Sequence, residues 1–182
     1  MSKKLSQIFD LKSNLETVLS ACMYYLNEIM DSERSSIFLF QHWDQQLTIF
    51  SSLDLEKHVD SIPKACGVAG WVFTNHEPAV VNDAYKGPRF CKDLDDLTGF
   101  KTYNIVCAPL VLSKLCLGTI QSLNKKEGDF NDNDLDLLRL AANMVAISIN
   151  NSNRYNELLV TNEACQKFIK QISANMGNIF DQ

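Results

Sequence analysis

The chain has 182 residues, 46% of them hydrophobic and 21% charged, with 22 acids against 17 bases and a formal net charge of −5. That length suits one domain with helical extensions, and it buries enough apolar surface to fold without metal or disulfide staples. The acidic balance excludes a nucleic-acid footprint, and no apolar run approaches the roughly 20 residues needed to cross a bilayer.

The start, Met-Ser-Lys-Lys, leads into an amphipathic pattern rather than a signal-peptide core, so a cytoplasmic location is expected. Ser13 and Glu16 form an S-x-x-E capping box that predicts a helix start. Leu15, Val18, Leu19, Cys22, Met23, Leu26, Ile29 and Met30 then recur at the spacing of one buried helical face. Leu5 and Ile8 continue the stripe backwards, which also fits one longer helix from about residue 4. The polar run from Asp31 to Arg34 ends it.

Ser35 to Phe40 and Leu47 to Ser52 are rich in β formers and flank a polar turn, as in an antiparallel hairpin. Residues 53–64 read as irregular. Gly67-Val-Ala-Gly70 opens a short helix, Ala79 to Val81 is a brief strand, and Asp83 to Leu97 reads as a loop. Asn104 to Leu112 and Leu115 to Leu123 form a second hairpin around Ser113-Lys114. The last helix starts near Asn131-Asp132, with acids in its first turn that suit the helix dipole. The class is α+β.

That helix carries two stripes. Leu135, Leu138, Ala142, Val145 and Ile149 form one face, suited to packing on the sheet. A strict 4-3 spacing runs through Leu137, Ala141, Met144, Ser148, Asn151, Tyr155, Leu158, Asn162, Cys165, Ile169, Ile172, Met176 and Ile179. Beyond residue 150 only this seam remains, and a lone helix would leave it in water. It predicts a parallel homodimer through residues 137–179 and the N-terminal helix, with Asn162 as a register-setting polar residue. The alternative is a tail folded back on the N-terminal helix.

Cys22, Cys66, Cys91, Cys107, Cys116 and Cys165 are scattered and form no C-x-x-C pair, so reduced cysteines acting as small hydrophobes are expected. His42, His58 and His76 show no zinc spacing. No nucleophile elbow, P-loop or dinucleotide fingerprint is present, so no catalytic residue, metal or required cofactor is expected.

The stretch from Gly67 through Trp71, Pro78, Asn82, Asp83 and Pro88 to Phe90 resembles the middle of a GAF domain. Asp95-Asp-Leu-Thr-Gly-Phe-Lys-Thr-Tyr-Asn104, Gly118 to Lys125, Phe130 and Asp134 extend the resemblance, which covers roughly residues 15–150. It implies a central antiparallel sheet of about six strands, with helices from both termini on one face and the C-terminal helix extended. The implied organisation is an N-terminal helical extension (1–14), a GAF-like sensory domain (15–150) and a coiled-coil linker arm (151–182).

The pattern is similar to that of cyclic-nucleotide-binding GAF domains of phosphodiesterases and bacterial adenylyl cyclases. Carried over by position, the resemblance implies a base contact at Ser36 and a stacking ring at Phe50. Val68 and Ala69 fall at the helix start that approaches a cyclic phosphate, and Asp95, Thr98 and Thr102 fall in the closing loop. Gln121 stands where those binders often carry glutamate. Asn124, Lys125, Phe130 and Asp134 match a structural signature, with Leu135 replacing its final glutamate. The implied function is a regulatory domain sensing cyclic AMP or cyclic GMP. A ligand-free dimerisation and relay module is the alternative, and a free methionine sulfoxide reductase a third reading, against which Val68-Ala69 stands where that group carries cysteine.

Overall fold

The computed structural model describes the backbone of residues 2–52 and 60–180, and the side chains of 15, 17–49 and 60–167. Helix α1 (Ser2–Met30) leads into strands β1 (Ser32–Gln41), β2 (Gln46–Ser52) and β3 (Ser61–Pro63). Helix α2 (Gly67–Asn75), strand β4 (Ala79–Val81), a 3-10 turn at Ala84–Lys86 and helix α3 (Lys92–Thr98) follow. Strands β5 (Ile105–Leu112) and β6 (Leu115–Lys125) precede helix α4 (Asp132–Phe180). The strands form one antiparallel sheet in the order β3-β2-β1-β6-β5-β4. This is the α+β architecture expected from the sequence.

Three details differ from the sequence reading. The capping box at Ser13 does not start a helix, because α1 runs unbroken from Ser2 with no glycine or proline to interrupt it. A third strand, β3, lies within the stretch read as irregular, paired with β2 through Leu47 and Ile62. The supposed loop from Asp83 to Leu97 contains the 3-10 turn and α3.

Strand alternation gives the sheet two faces. On one face Ile37, Ile120, Val106, Ala108 and Leu110 meet Leu19, Met23, Leu26 and Met30 of α1. Leu138, Ala142, Val145 and Ile149 of α4 join the same cluster, so the first stripe of the last helix does pack on the sheet. On the other face Phe38, Leu47, Ile62, Ile105 and Leu123 meet Val68, Ala69 and Val72 of α2. The seam behaves differently: Met144, Asn151, Tyr155, Leu158, Asn162 and Cys165 are exposed. Ile169, Ile172, Met176 and Ile179 lie on the helical backbone of α4, but their side chains are outside the described residues. At 49 residues, α4 reaches roughly 70 Å, far beyond the sheet it packs on.

The centre of the sheet admits no side chain at Gly118. A Cβ there would lie 1.9 Å from the Phe38 carbonyl oxygen, on the strand paired with it. Gly118→Ala is therefore expected to force β1 and β6 apart and destabilise the domain by about 3 kcal/mol. Urea unfolding checks this; an unchanged midpoint would contradict the close approach.

Candidate functional site

The sheet face opposite α1 and α4 carries a cavity of about 90 Å³. Its floor follows from strand period two. Arg34, Ser36 and Phe38 of β1 share one face, and Ser36 and Arg34 pair across β6 with Gln121 and Leu123. Ile49, Ile62 and Ile105, from β2, β3 and β5, add the apolar part of the floor.

Helix α2 supplies one wall. Cys66, in extended conformation, precedes it without a side-chain cap, and Gly67 takes a left-handed φ of 71°. The first turn of any helix leaves its N–H groups without intrahelical acceptors, and here that turn contains Val68 and Ala69, both lining the cavity. Gly70 fixes the helix against the preceding turn, since a Cβ there would lie 2.7 Å from the Ala65 carbonyl carbon.

Residues 83–102 form the roof, and Asp95 holds it in place. Asp95 is 9% exposed and Thr102 3%. Asp95 Oδ2 accepts the Thr102 N–H at 2.6 Å and the Tyr85 hydroxyl at 2.9 Å, while Oδ1 accepts the Thr102 hydroxyl at 2.7 Å. That bond from Tyr85 to a carboxylate raises its phenol above the ordinary value. Thr98 donates its hydroxyl to the Leu94 carbonyl at 2.7 Å and accepts the Phe100 N–H at 3.3 Å, closing the end of α3. The Arg34 guanidinium lies 3.9 Å from the centre of the Phe100 ring, joining floor to roof. Among the described residues the Ser36 hydroxyl and the Gln121 amide make no side-chain hydrogen bond. These facing partners can therefore bond a bound molecule.

Of the expected ligand residues, Ser36, Val68, Ala69, Asp95, Thr98, Thr102 and Gln121 all line this cavity. Phe50 lies in β2 at the register shift opposite Ile37 and Phe38, and its side chain falls outside the described residues. Sequence reading overlooked Arg34, although its place two residues before Ser36 on a strand was the available signal. It also overlooked Phe100.

The expectation of six reduced cysteines is corrected. Cys66 and Cys91 form a disulfide with their Cα atoms 6.1 Å apart, joining the residue before α2 to the residue before α3 at the cavity's edge. Only the fold brings residues 25 positions apart in sequence to that distance. The free thiols Cys107 and Cys116 are buried, and burial pushes both up.

Asn124, Lys125, Phe130 and Asp134 lie outside the cavity and brace it. Asn124 Oδ1 accepts the Tyr103 N–H at 2.7 Å, and its Nδ2 donates to the Lys101 carbonyl and to Glu33 Oε2, both at 2.8 Å. Lys125 meets Asp134 at 2.6 Å, tying the end of β6 to the start of α4. Asn82 brackets Phe130 by bonding both its N–H and its carbonyl. The loss of the signature's glutamate at Leu135 thus leaves the Lys125–Asp134 pair intact.

The sequence profile described as GAF domain matches residues 14–149. A curated relative, probable 3',5'-cyclic phosphodiesterase pde-5 of Caenorhabditis elegans, is 26% identical over 157 residues, covering 80% of this chain and 22% of that protein. The chain thus spans about a fifth of the length of the curated relatives it matches. The GAF domain of a phosphoenolpyruvate-protein phosphotransferase from Coxiella burnetii superposes with a TM-score of 0.70 at 17% identity, covering 84% of this chain and 94% of that one. A type II free methionine-R-sulfoxide reductase from Thermoplasma acidophilum superposes at 0.65 with 17% identity, covering 76% and 94%. At such identities the structural likeness concerns the fold.

Asp95→Ala would leave the buried N–H and hydroxyl of Thr102 without their acceptor. The expected loss is about 2 kcal/mol, with faster amide exchange at Thr102. Unchanged unfolding and exchange would contradict the role of Asp95 as the anchor of the roof.

Proposed function

The chain belongs to the GAF domain family, and on that premise we propose that it is the regulatory, small-molecule-sensing domain of a cytoplasmic signalling protein. Its ligand is a cyclic nucleotide, cyclic AMP or cyclic GMP, and closure over that ligand is relayed through a parallel homodimer of helical arms. Domains of this family are typically regulatory, and any catalytic output is assigned to other parts of a longer protein. The observation that carries this reading is the convergence of Ser36, Val68, Ala69 and Gln121 on one cavity beneath the Asp95-anchored roof. The relationship to a cyclic phosphodiesterase supports the ligand class.

The residue chemistry fits. A purine lies between the apolar part of the floor and Phe100, with its edge offered to Ser36 and Gln121. The first turn of α2 presents N–H groups to the cyclic phosphate, and the Arg34 guanidinium adds positive charge on the same side of the sheet. Small-molecule sites usually enclose about 300–1,000 Å³. A cavity of about 90 Å³ must therefore widen to admit one, and this reading assigns that movement to the roof. Roof movement reaches the dimer arm through β5. Thr102 leads into it, Ile105 faces the cavity, and Val106 and Ala108 face α4.

A second reading, a ligand-free relay module, draws on the same small cavity and on the mutual bonding of Asp95 and Thr102. A third, methionine sulfoxide reduction, draws on the cysteine pair at the cavity's edge. Thermal shift separates the first two. Millimolar cyclic AMP or cyclic GMP is expected to raise the melting temperature of the reduced protein by several degrees, since a ligand at 100 times its Kd adds about 2.7 kcal/mol. Ser36→Ala and Gln121→Ala are expected to shrink that shift without altering the unliganded melting temperature. No shift with either nucleotide favours the relay module, and turnover of free methionine sulfoxide favours the reductase.

The dimer has its own test. A parallel, in-register seam brings Cys165 against its own copy, within the range a disulfide spans. Mild oxidation is expected to give a covalent dimer that Cys165→Ser abolishes, and cutting the chain after Asn150 is expected to weaken association in ultracentrifugation. A monomer at high micromolar concentration would contradict the arm's role.

A further inference from the structure

The roof is held at two places, and they differ in kind. At one end Asp95 binds Thr102 and Tyr85 by hydrogen bonds. At the other, the Cys66–Cys91 disulfide joins the start of α2 to the start of α3. Around that bond the contacts are close: a Cβ on Gly67 would lie 3.4 Å from Cys91 Cβ, and the Arg89 guanidinium stacks 3.6 Å from the centre of the Trp71 ring. No other covalent bond crosses the cavity among the described residues, and the cavity beneath it is about 90 Å³.

We infer that the Cys66–Cys91 pair is a reversible redox clasp that locks the roof shut when oxidised and lets the cavity open when reduced. Both cysteines are half-buried, so a small thiol can reach the bond. Cys66 also stands at the N-cap of α2, where unpaired N–H groups favour the thiolate and make it a good leaving group. The exchange balances with a dithiol reductant. One thiolate of the reductant attacks a sulfur of the disulfide, forming a mixed disulfide and releasing the other cysteine as thiolate. The second thiol of the reductant then displaces the remaining cysteine. Two electrons and two protons pass to Cys66 and Cys91, and the reductant leaves as its cyclic disulfide. A small-molecule disulfide oxidant reverses the process. The clasp stands on the fold, whereas its effect on ligand entry rests on the sensing role proposed above.

The test uses the full chain carrying Cys22→Ser and Cys165→Ser, which removes the exposed thiols that would cross-link molecules. The protein is equilibrated with oxidised glutathione or with dithiothreitol, its disulfide is mapped by alkylation and mass spectrometry, and amide exchange is followed over residues 92–102. Reduction is expected to speed that exchange at least fivefold, and a Cys66→Ser, Cys91→Ser variant is expected to exchange fast in both conditions. Titration with cyclic AMP and cyclic GMP then separates the two ideas. Fivefold tighter binding to the reduced form supports both. Faster exchange without nucleotide binding in either form supports the clasp and removes the ligand assignment. Equal exchange in the two redox states, failure of the bond to form under oxidised glutathione, or a redox response that persists in the double serine variant would overturn the clasp.

Discussion

The antiparallel pairing of β1 with β6 is the constraint on which the rest of the domain depends. These strands lie at the middle of the sheet and are covered on both faces, so each alternate residue must suit a different environment. Ile37 and Ile120 face the terminal helices, while Ser36, Phe38 and Gln121 face the cavity. A one-residue slip would exchange the two sets, placing isoleucine in the cavity and serine in the helical core. Gly118 and the close approach of Phe38 pin the register that prevents it.

Polar bonding divides into two roles around that sheet. Asn124, Asn104, Lys125 and Asp134 saturate the junction where β6 ends and α4 begins, with Asn104 Oδ1 accepting the Lys125 N–H at 2.8 Å. Buried polar groups satisfied in this way give the junction one well-defined geometry. Asp95 does the same for the roof, accepting three hydrogen bonds from Thr102 and Tyr85 while it lines the cavity. Ser36 and Gln121 are left as the polar pair with bonding capacity on the floor. The cavity thus combines a satisfied rim with two floor side chains, Ser36 and Gln121, that keep bonding capacity.

What could be read in the sequence follows the strength of the local signal. β1, β2, β5, β6 and the sheet-facing stripe of α4 carry clear periodicity, and the structure has them where expected. Helix α3 has only Leu94 and Leu97 among seven residues, and Leu97 is exposed, so no periodic pattern could reveal it. Tertiary bonding through Asp95 holds it. β3 is three residues long and exists through its pairing with β2. The Cys66–Cys91 bond was illegible for the same reason, since neither its spacing nor its neighbours single it out. Arg34 was legible in principle, because alternation from Ser36 puts it on the same face.

The most direct test of the sensing account is to titrate the reduced, isotopically labelled protein with cyclic AMP and cyclic GMP while following its backbone and amide resonances. The account predicts saturable shifts centred on Val68, Ala69 and the Gln121 side-chain amide, spreading into the roof at residues 92–102. Resonances that stay put at millimolar nucleotide, or that move only outside the cavity, would contradict it.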